Sequence, residues 1–221
     1  MSERRRRRVR LEISREAARL FWAQGVGGTS GDQIAEAVGL STRTIWRHFR
    51  SKESCAEPIV AQSVEWELAT LRSWPPHRSL EEHFATEARR LADEAGPSEQ
   101  ADAGLGIKMI RLADTEPALR TAWLMACDQV ERELAGVIAT RLGVPPDGLE
   151  ARLHAAAAAA ALRVINEYVG AALLEGADPR QLGDENFGFI ADAVRTATGG
   201  AVGDPVHLGE APAAPEAGAW A

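Results

Sequence analysis

Residues 25–53 of the chain read GVGGTSGDQIAEAVGLSTRTIWRHFRSKE, and the spacing of glycines and hydroxyl residues in this stretch decides the fold. The glycines at its start end a preceding helix, because glycine is a weak helix former and a frequent terminator. Thr29 and Ser30 follow, and their side-chain oxygens are suited to cap a short helix over 32–38. The stretch therefore opens with a helix end and a new helix start.

A second turn follows within the same stretch. Gly39 stops the short helix, and Ser41 or Thr42 caps a third helix that runs to Phe49. Two short helices joined by a tight glycine turn, after a longer helix, are typical of a helix-turn-helix unit. We therefore predict a three-helix head.

The segments on both sides of this stretch also have helical period, and none alternates like a strand. Residues 9–24 carry one apolar stripe, and a fourth helix is predicted from Ser51 to about Arg72 with an irregularity at Pro58. Further helices are predicted at about 79–95, 99–112, 117–142, 147–176 and 185–198. The predicted class is all-α, with a basic disordered arm at 1–8, the head at 9–52, a larger helical domain at 53–198, and a disordered tail at 199–221 that leaves Trp220 unexplained.

Charge is distributed unevenly along the 221 residues. The chain has 25 Lys and Arg against 32 Asp and Glu, a net charge of −7 that on its own disfavours nucleic-acid binding. Residues 1–52, however, hold twelve basic against five acidic residues, a net +7, which leaves −14 for the remainder. Such asymmetry indicates a polyanionic partner at the N-terminal end, although the run Arg4–Arg8 alone is equally typical of a solvated tail.

Several classes of protein are disfavoured by the sequence. Two cysteines, Cys55 and Cys127, can form neither a disulfide framework nor a four-cysteine zinc site. No apolar run approaches the roughly 18 residues of a membrane span, and no signal peptide is recognisable. Nucleophile-elbow, zinc-protease, Walker and Rossmann motifs are missing. We expect a cytoplasmic, non-enzymatic protein that needs no metal or cofactor and has no membrane partner.

The third helix has the chemistry of a DNA-reading helix. Ile45 and Phe49, four residues apart, mark its buried face, and the other face is rich in hydrogen-bond donors. Arg43 or Arg47 could hold guanine bidentately, and the hydroxyl caps suit phosphate oxygens. The predicted DNA-contact residues are Thr29, Ser30, Ser41, Thr42, Arg43, Thr44, Trp46, Arg47, His48 and Lys52. Two alternatives stay open: His48 could pack beneath the helix, and Trp46 could be a core residue.

The order and spacing of residues from Gly25 to Glu53 resemble the DNA-binding head of the tetracycline-repressor (TetR) family of bacterial transcription regulators, over about residues 9–56. The residues that carry the resemblance include Gly39-Leu40-Ser41, Thr44-Ile45-Trp46 and Ser51-Lys52-Glu53. The resemblance implies phosphate contacts from Thr29, Trp46, His48 and Lys52, and base contacts from Thr42, Arg43, Trp46 and Arg47. Trp46 stands where the family commonly has tyrosine, and indole is a donor without an acceptor.

The same resemblance implies that the larger domain holds a small-molecule pocket. Its ligand is expected to be a hydrophobic metabolite, with acyl-CoA as one example. Large or soft side chains on the middle helices are the pocket candidates, although helix-spaced aromatics and methionines are also typical of a core. These candidates are Trp66, Phe84, Met109, Trp123, Met125 and Tyr168, and the polar Asn166 is a candidate for orienting the ligand.

The resemblance further implies a homodimer formed by the last two helices. A broad face of small and aliphatic residues agrees, because it allows helices to approach closely. That face consists of Ala158, Ala161, Leu162, Ile165, Val169, Phe187, Ile190 and Val194. The alternative is an alanine-rich helix packed inside one protomer.

The expected function is ligand-controlled repression. A dimer would bind a pseudo-palindromic operator in double-stranded DNA, and ligand in the larger domain would shift the fourth helix and spoil the spacing of the two heads. The alternative is a protein-interaction coregulator with the same fold that does not bind DNA.

Overall fold

The computed structural model describes residues 2–206, with the side chains of residues 92 and 179–187 left out of the description. Over this range the chain is helical and contains no β-strand, which confirms the all-α prediction. The helices are α1 (Glu3–Gly28), α2 (Gly31–Ala37), α3 (Thr42–His48), a 3₁₀ turn (Glu53–Ala56), α4 (Glu57–Ser63), α5 (Glu65–Ser73), α6 (Leu80–Glu94), α7 (Pro97–Leu112), α8 (Pro117–Leu142), α9 (Leu149–Leu174) and α10 (Pro179–Ala197).

Helices α1, α2 and α3 form the head around a small core. Phe21, Ile34 and Ile45 are fully buried there, one from each helix. Within α1, Gly25 has φ +79 and ψ 157, so the regular helix ends where the sequence predicted. The head core continues without a gap into the core of the larger domain.

The predicted fourth helix is divided into three elements, the 3₁₀ turn, α4 and α5. Pro58 lies in the first turn of α4, where its missing N–H costs no helical hydrogen bond. The predicted irregularity at Pro58 is present as the change from the 3₁₀ turn to α4 just before it, because proline is tolerated at a helix start. A second interruption falls at Val64, whose N–H bonds to Ala61 O three residues back.

The larger domain is a bundle in which α8 and α9 pack along each other and α10 covers α9 and α6. Helix α7 packs against α4, α9 and α1, and so connects the larger domain to the head. Helix α9 is long and apolar enough, by length and composition, to cross a membrane, with a mean hydropathy of 1.3 in its most apolar window. A core helix of a soluble protein passes the same test.

The predicted disordered arm at 1–8 is wrong over the described residues. Helix α1 begins at Glu3, with Ser2 as its N-cap accepting a hydrogen bond from the N–H of Arg5. Ion pairs one turn apart, Arg7–Glu3 and Arg8–Glu12, lie along the exposed side of this extension. The arginines therefore continue the helix of the head.

The predicted tail also begins with an ordered segment. Residues 199–206 fold back onto the bundle, where Gly203 O accepts from Leu80 N at 2.8 Å and Pro76 O accepts from Val206 N at 2.7 Å. Val202 is buried and supplies the apolar anchor that the composition concealed. Residues 207–221, including Trp220, lie outside the described residues.

Candidate nucleic-acid interface and cavities of the larger domain

The turn between α2 and α3 depends on Gly39. Its φ of +64 lies in the left-handed region that favours glycine, and its N–H bonds back to Glu36 O. Ser30 caps α2 in a reciprocal capping box with Gln33, and Ser41 caps α3 through the N–H of Thr44. Local chemistry at both helix starts thus fixes how α3 leaves α2.

The outward face of α3 carries two unpaired arginines. Arg43 and Arg47 are both exposed, and neither guanidinium has an ion-pair or hydrogen-bond partner within residues 2–206. Ile45 and Phe49 are buried on the opposite face, as predicted. Free guanidinium groups on an exposed helix keep all their donors available for an external acceptor.

Trp46 lies beside the arginines and is 44% exposed, so it is not a core residue. Its indole packs over the start of α2, where a Cβ added to Gly31 would meet ring atoms at 2.2 and 2.7 Å. Gly31 therefore makes room for the ring. The indole is held in one place and still presents almost half of its surface to the outside.

The hydroxyl residues at the start of α3 are held by short hydrogen bonds. Thr42 Oγ1 donates to Asp32 Oδ1 at 2.5 Å, which fixes the side chain against α2. Ser41 Oγ and Thr44 Oγ1 lie 2.9 Å apart. The start of α3 therefore presents positioned hydroxyls next to Arg43.

Three of the predicted DNA contacts turn inward. Thr29 is buried, and its Oγ1 donates to Gly25 O at 2.9 Å. Lys52 Nζ donates to Val26 O and Thr29 O, both at 2.8 Å, so it ties together the end of α1 and the start of α2. These contacts use the polar groups that the sequence assigned to phosphate, because the ends of α1 and α2 leave carbonyls that need donors.

His48 is the third residue that turns inward, as the alternative held. Its side chain is 7% exposed, and Nδ1 has no protein partner. Burial lowers the pKa of His48, and the nearby charges of Arg47, Arg6 and Arg10 lower it further. The imidazole packs beneath the outward face of α3.

Arg10 is a residue of this site that the sequence did not single out. Its guanidinium donates to His48 O and lies over the Phe49 ring, 4.4 Å from the ring centroid. It thereby fastens α1 to the C-terminal end of α3. The sequence shows that Arg10 is a basic residue on α1, but it does not show that its partner is His48, 38 residues away.

The larger domain contains an open cavity of about 430 Å³ between α4, α5, α6 and α7. The volume lies in the range of small-molecule pockets. Trp66 is the one predicted ligand residue that lines it, and the Trp66 ring meets Phe84 edge to face at 5.7 Å. The lining residues are Gln62, Ser63, Glu65, Trp66, Ala88, Leu91, Ala95, Glu99, Gln100, Asp102 and Ala103.

Asp102 connects this cavity to the head. Its carboxylate is 5% exposed and accepts from Arg15 of α1 through Nε at 2.7 Å and Nη2 at 2.6 Å. Gln62 of α4 donates to the same carboxylate at 3.2 Å. One buried carboxylate thus joins α1, α4 and α7. Arg15 and Asp102 are 87 residues apart, so no local sequence pattern predicts their contact.

Two other predicted ligand residues, Trp123 and Asn166, meet in a separate niche between α5, α8 and α9. Asn166 Nδ2 donates to Glu67 Oε2 at 2.8 Å, while Glu67 Oε1 has no protein partner. Burial raises the pKa of Glu67 to about 7, and the bond from Asn166 lowers it in part. The niche has room for about 10 Å³, the size of a single water molecule.

The remaining ligand predictions do not reach either cavity. Phe84 and Met109 are buried in the core, whereas Met125 and Tyr168 are 60% and 64% exposed. Tyr168 lies instead on the exposed apolar face of α9 and α10, because helical spacing alone did not show which way each helix faced. Among the described residues, no cluster of three His, Cys, Asp or Glu side chains could hold a metal ion.

The predicted dimer face lies mostly inside the protomer. Ala158, Leu162, Ile165 and Val194 are buried in this single chain, whereas Ala161, Val169 and Ile190 are half-buried. The side chain of Phe187 lies outside the described residues. The exposed apolar face of α9 and α10 overlaps the predicted face at Ala161 and Ile165. It consists of Ala157, Ala160, Ala161, Val164, Ile165, Tyr168, Phe189, Ala193 and Ala197, and the exposed Leu149 and Leu153 lie nearer the start of α9.

A helix-turn-helix head joined to a larger all-helical domain defines a class of DNA-binding transcription regulators. Residues 13–59 match the family model "Bacterial regulatory proteins, tetR family", and residues 85–195 match the model "MftR C-terminal domain". The chain is 37% identical over 151 residues to the HTH-type transcriptional regulator TcmR of Streptomyces glaucescens, a match that spans 66% of each chain. The chain belongs to the TetR family of transcriptional regulators, which are not enzymes.

Solved structures agree with this fold. Salmonella enterica GusR superposes with a TM-score of 0.55 at 20% identity, covering 87% of this chain and 94% of that one. The multidrug binding protein EbrR, complexed with imidazole, superposes with a TM-score of 0.51 at 19% identity, covering 82% and 93%. At these identities the likeness concerns the fold alone.

Proposed function

We propose that the chain is a ligand-responsive cytoplasmic repressor that binds a pseudo-palindromic operator as a homodimer. The observation that carries this proposal is the outward face of α3, where Arg43 and Arg47 are unpaired on both sides of the half-exposed Trp46. Arginine is the side chain that most often reads guanine, through two parallel hydrogen bonds in the major groove. A coregulator that does not bind DNA would have no need for this face.

Binding-site selection on random duplex DNA tests the DNA contact. The full chain is expected to enrich a two-fold symmetric sequence, and its affinity should fall steeply with salt. Arg43→Ala should weaken binding to the selected duplex by about ten- to a hundredfold and relax preference at one position per half-site. Arg89→Ala is the matched control, because it removes an exposed arginine from α6 in the larger domain. Failure to enrich any duplex would favour the coregulator.

The dimer is proposed to form through the exposed apolar face of α9 and α10. Contiguous apolar surface of this kind is rare on a monomer, and its alanines allow close helix approach. Val164→Glu would place a charge at its centre and should produce a monomer in sedimentation equilibrium. Met125→Glu changes an equally exposed apolar residue on α8 and should leave the dimer intact. If Val164→Glu and Met125→Glu both remained dimeric, the proposal that the dimer forms through this face would be wrong.

The effector is proposed to be a small, mostly apolar molecule bound in the 430 Å³ cavity beside Trp66. The cavity wall supplies the carboxylates of Glu65, Glu99 and Asp102 and, among the described lining residues, no Lys or Arg. An acyl-CoA would therefore have to keep its phosphates outside the cavity. Metabolite screening by thermal shift, with Trp66→Ala expected to abolish the shift, tests this location.

We propose that effector binding changes operator affinity through Asp102 and α4 together. An effector that displaces Gln62 or Asp102 would disturb the bidentate grip on Arg15, and with it the position of α1 and the head. Coupling of 1–3 kcal/mol between sites corresponds to about a 5- to 150-fold change in operator affinity. Asp102→Asn should keep operator binding and reduce the release caused by a bound effector. Full release in that variant would assign the coupling to α4 alone.

A further inference from the structure

The N-terminal turns of α1 carry five consecutive arginines, Arg4–Arg8, and we name them the arginine arm. All five side chains are exposed, and the helix that holds them begins at Glu3. Because the arm continues α1, it is an extension of the head with a defined direction. A disordered run of the same composition would have no fixed position relative to α3.

Arg10 places the arm beside the recognition helix. Its bond to His48 O and its stacking over Phe49 fasten α1 to the end of α3. Arg6 lies one turn earlier on the same side of α1, about 6 Å further along the axis. The positive charge of Arg6 is among the causes that lower the pKa of His48, in keeping with a position close to the end of α3.

The arm has little neutralising charge of its own. Arg7 and Arg8 each face one glutamate at 3.6 Å, in exposed pairs that contribute little. Arg4, Arg5 and Arg6 have no ion pair within the described chain. The acidic residues of the whole molecule lie mainly beyond residue 52. Arg6 of the arm and Arg47 of α3 both act on His48, so the arm lies near the end of α3 that carries Arg47.

We infer that the arginine arm is a second DNA-binding element, which binds the phosphates that flank the groove occupied by α3. The inference rests on the proposed DNA binding and extends it beyond the helix-turn-helix. The positive charge of the arm complements the phosphates of a duplex, and the arm lies beside the outward face of α3. Both observations favour DNA as the partner. A preformed helix also binds without the entropic cost of ordering a loose tail.

Salt dependence of operator affinity tests the arm directly. The variant R4Q/R5Q/R6Q removes three charges per protomer and keeps good helix formers, and circular dichroism should show unchanged helicity. Each lost phosphate contact lowers the slope of log affinity against log salt by about 0.9. Six lost charges per dimer therefore predict a slope lower by about 2 to 5, with at least a tenfold loss of affinity at low salt. The variant R89Q/R90Q/R132Q removes the same charge from the larger domain as a control.

Phosphate-ethylation interference separates contact from a general field effect. The wild-type chain should show interfering phosphates at the outer edge of each half-site, and these should vanish in R4Q/R5Q/R6Q while those around α3 remain. An unchanged slope and an unchanged interference pattern, with wild-type binding intact, would overturn the inference and leave the proposed function standing. A slope equally reduced in the control variant would also overturn it. Failure of the wild-type chain to bind any duplex would instead remove the proposed function, and the arm contact with it.

Discussion

Glu67 is buried, and one of its carboxylate oxygens has no protein partner. Its pKa in the folded chain is about 7, against 4.5 for the free side chain. Between these two pH values the Glu67 carboxyl is ionised in the unfolded chain and protonated in the folded chain. The free energy of unfolding therefore falls as the pH rises. This loss of stability is complete above about pH 7 and absent below about pH 4.5.

Glu67→Gln should remove this pH dependence. The amide keeps the shape of the side chain and a carbonyl that accepts from Asn166. The free energy of unfolding of the variant, minus that of the wild type, should grow by up to about 3 kcal/mol between pH 4.5 and pH 7 and then stay level. Urea unfolding at a series of pH values measures it. Glu65→Gln, on the exposed side of α5, is the control, and a pH-independent difference for Glu67→Gln would show that the carboxyl is solvated.

Arg141 is a second single residue with a large structural role. It stacks on the Trp74 ring at 3.5 Å and donates to the carbonyls of Pro75, Pro76, Arg78 and Asp204. Desolvation lowers its pKa to about 10, so it stays charged at neutral pH. One guanidinium thereby joins α8, the loop before α6 and the segment 199–206.

Arg141→Lys should release that segment. Lysine keeps the charge but lacks the planar fork that stacks and serves several acceptors, so we expect a loss of about 1–3 kcal/mol of stability. The amide of Val206, bonded to Pro76 O, should exchange faster in hydrogen–deuterium exchange. Arg132→Lys, on the exposed side of α8, is the control. Unchanged protection of Val206 would assign the anchoring to Val202 instead.

At the scale of elements, the crossing of α4 and α7 depends on a glycine. A Cβ added to Gly106 would lie 2.7 Å from Ser63 Cβ and 3.5 Å from Ile59 O, whereas one added to Gly104 would meet nothing within 4 Å. Both glycines lie in α7, so their helix propensities are comparable. Only Gly106 is required for the close approach of the two helices.

The two alanine substitutions should therefore have opposite signs. Gly104→Ala should stabilise the chain by about 0.5–1 kcal/mol, because alanine restricts the unfolded chain and fits the open space. Gly106→Ala should destabilise it by about 1–3 kcal/mol, because the helices must separate. Chemical denaturation measures both, and Ser63→Gly should partly rescue Gly106→Ala. Equal effects of the two substitutions would mean that α4 and α7 do not cross at Gly106.

At the scale of the whole molecule, the Arg15–Asp102 pair joins the head to the larger domain. A double-mutant cycle with Arg15→Ala and Asp102→Ala should give a coupling energy of about 0.5–3 kcal/mol, as expected for residues in direct contact. Arg15→Ala should be the more costly single change, because it leaves a buried carboxylate without its cation. Additive effects would mean that the two domains are joined by apolar packing alone.

Local patterns determined much of the molecule. The glycine and hydroxyl positions from 25 to 42 specify the head because caps and left-handed turns depend on nearest neighbours. The apolar face of α3 follows from Ile45 and Phe49 in the same way, and the free arginines opposite them were predicted as exposed. The all-α class follows from helical period in every long segment.

Residues with more than one available partner could not be placed from the sequence. Lys52, Thr29 and His48 are polar groups that suit phosphate equally well, and only the folded chain shows that the first two satisfy carbonyls of the head and that the third is enclosed. Helix α9 is apolar around most of its circumference, so its period does not select a buried side. Four of the predicted dimer residues, Ala158, Leu162, Ile165 and Val194, are therefore buried within the single chain.

The helices, the helix-turn-helix and the basic composition of the head were predictable from the sequence, since each depends on residue types and interactions within a short stretch of chain. The tertiary structure alone decided which face of α9 stays exposed, which side chains line the cavity and how Asp102 reaches Arg15. These features depend on contacts between segments as far as 87 and 99 residues apart, and the free energy of such contacts is set by how the helices pack rather than by any local pattern.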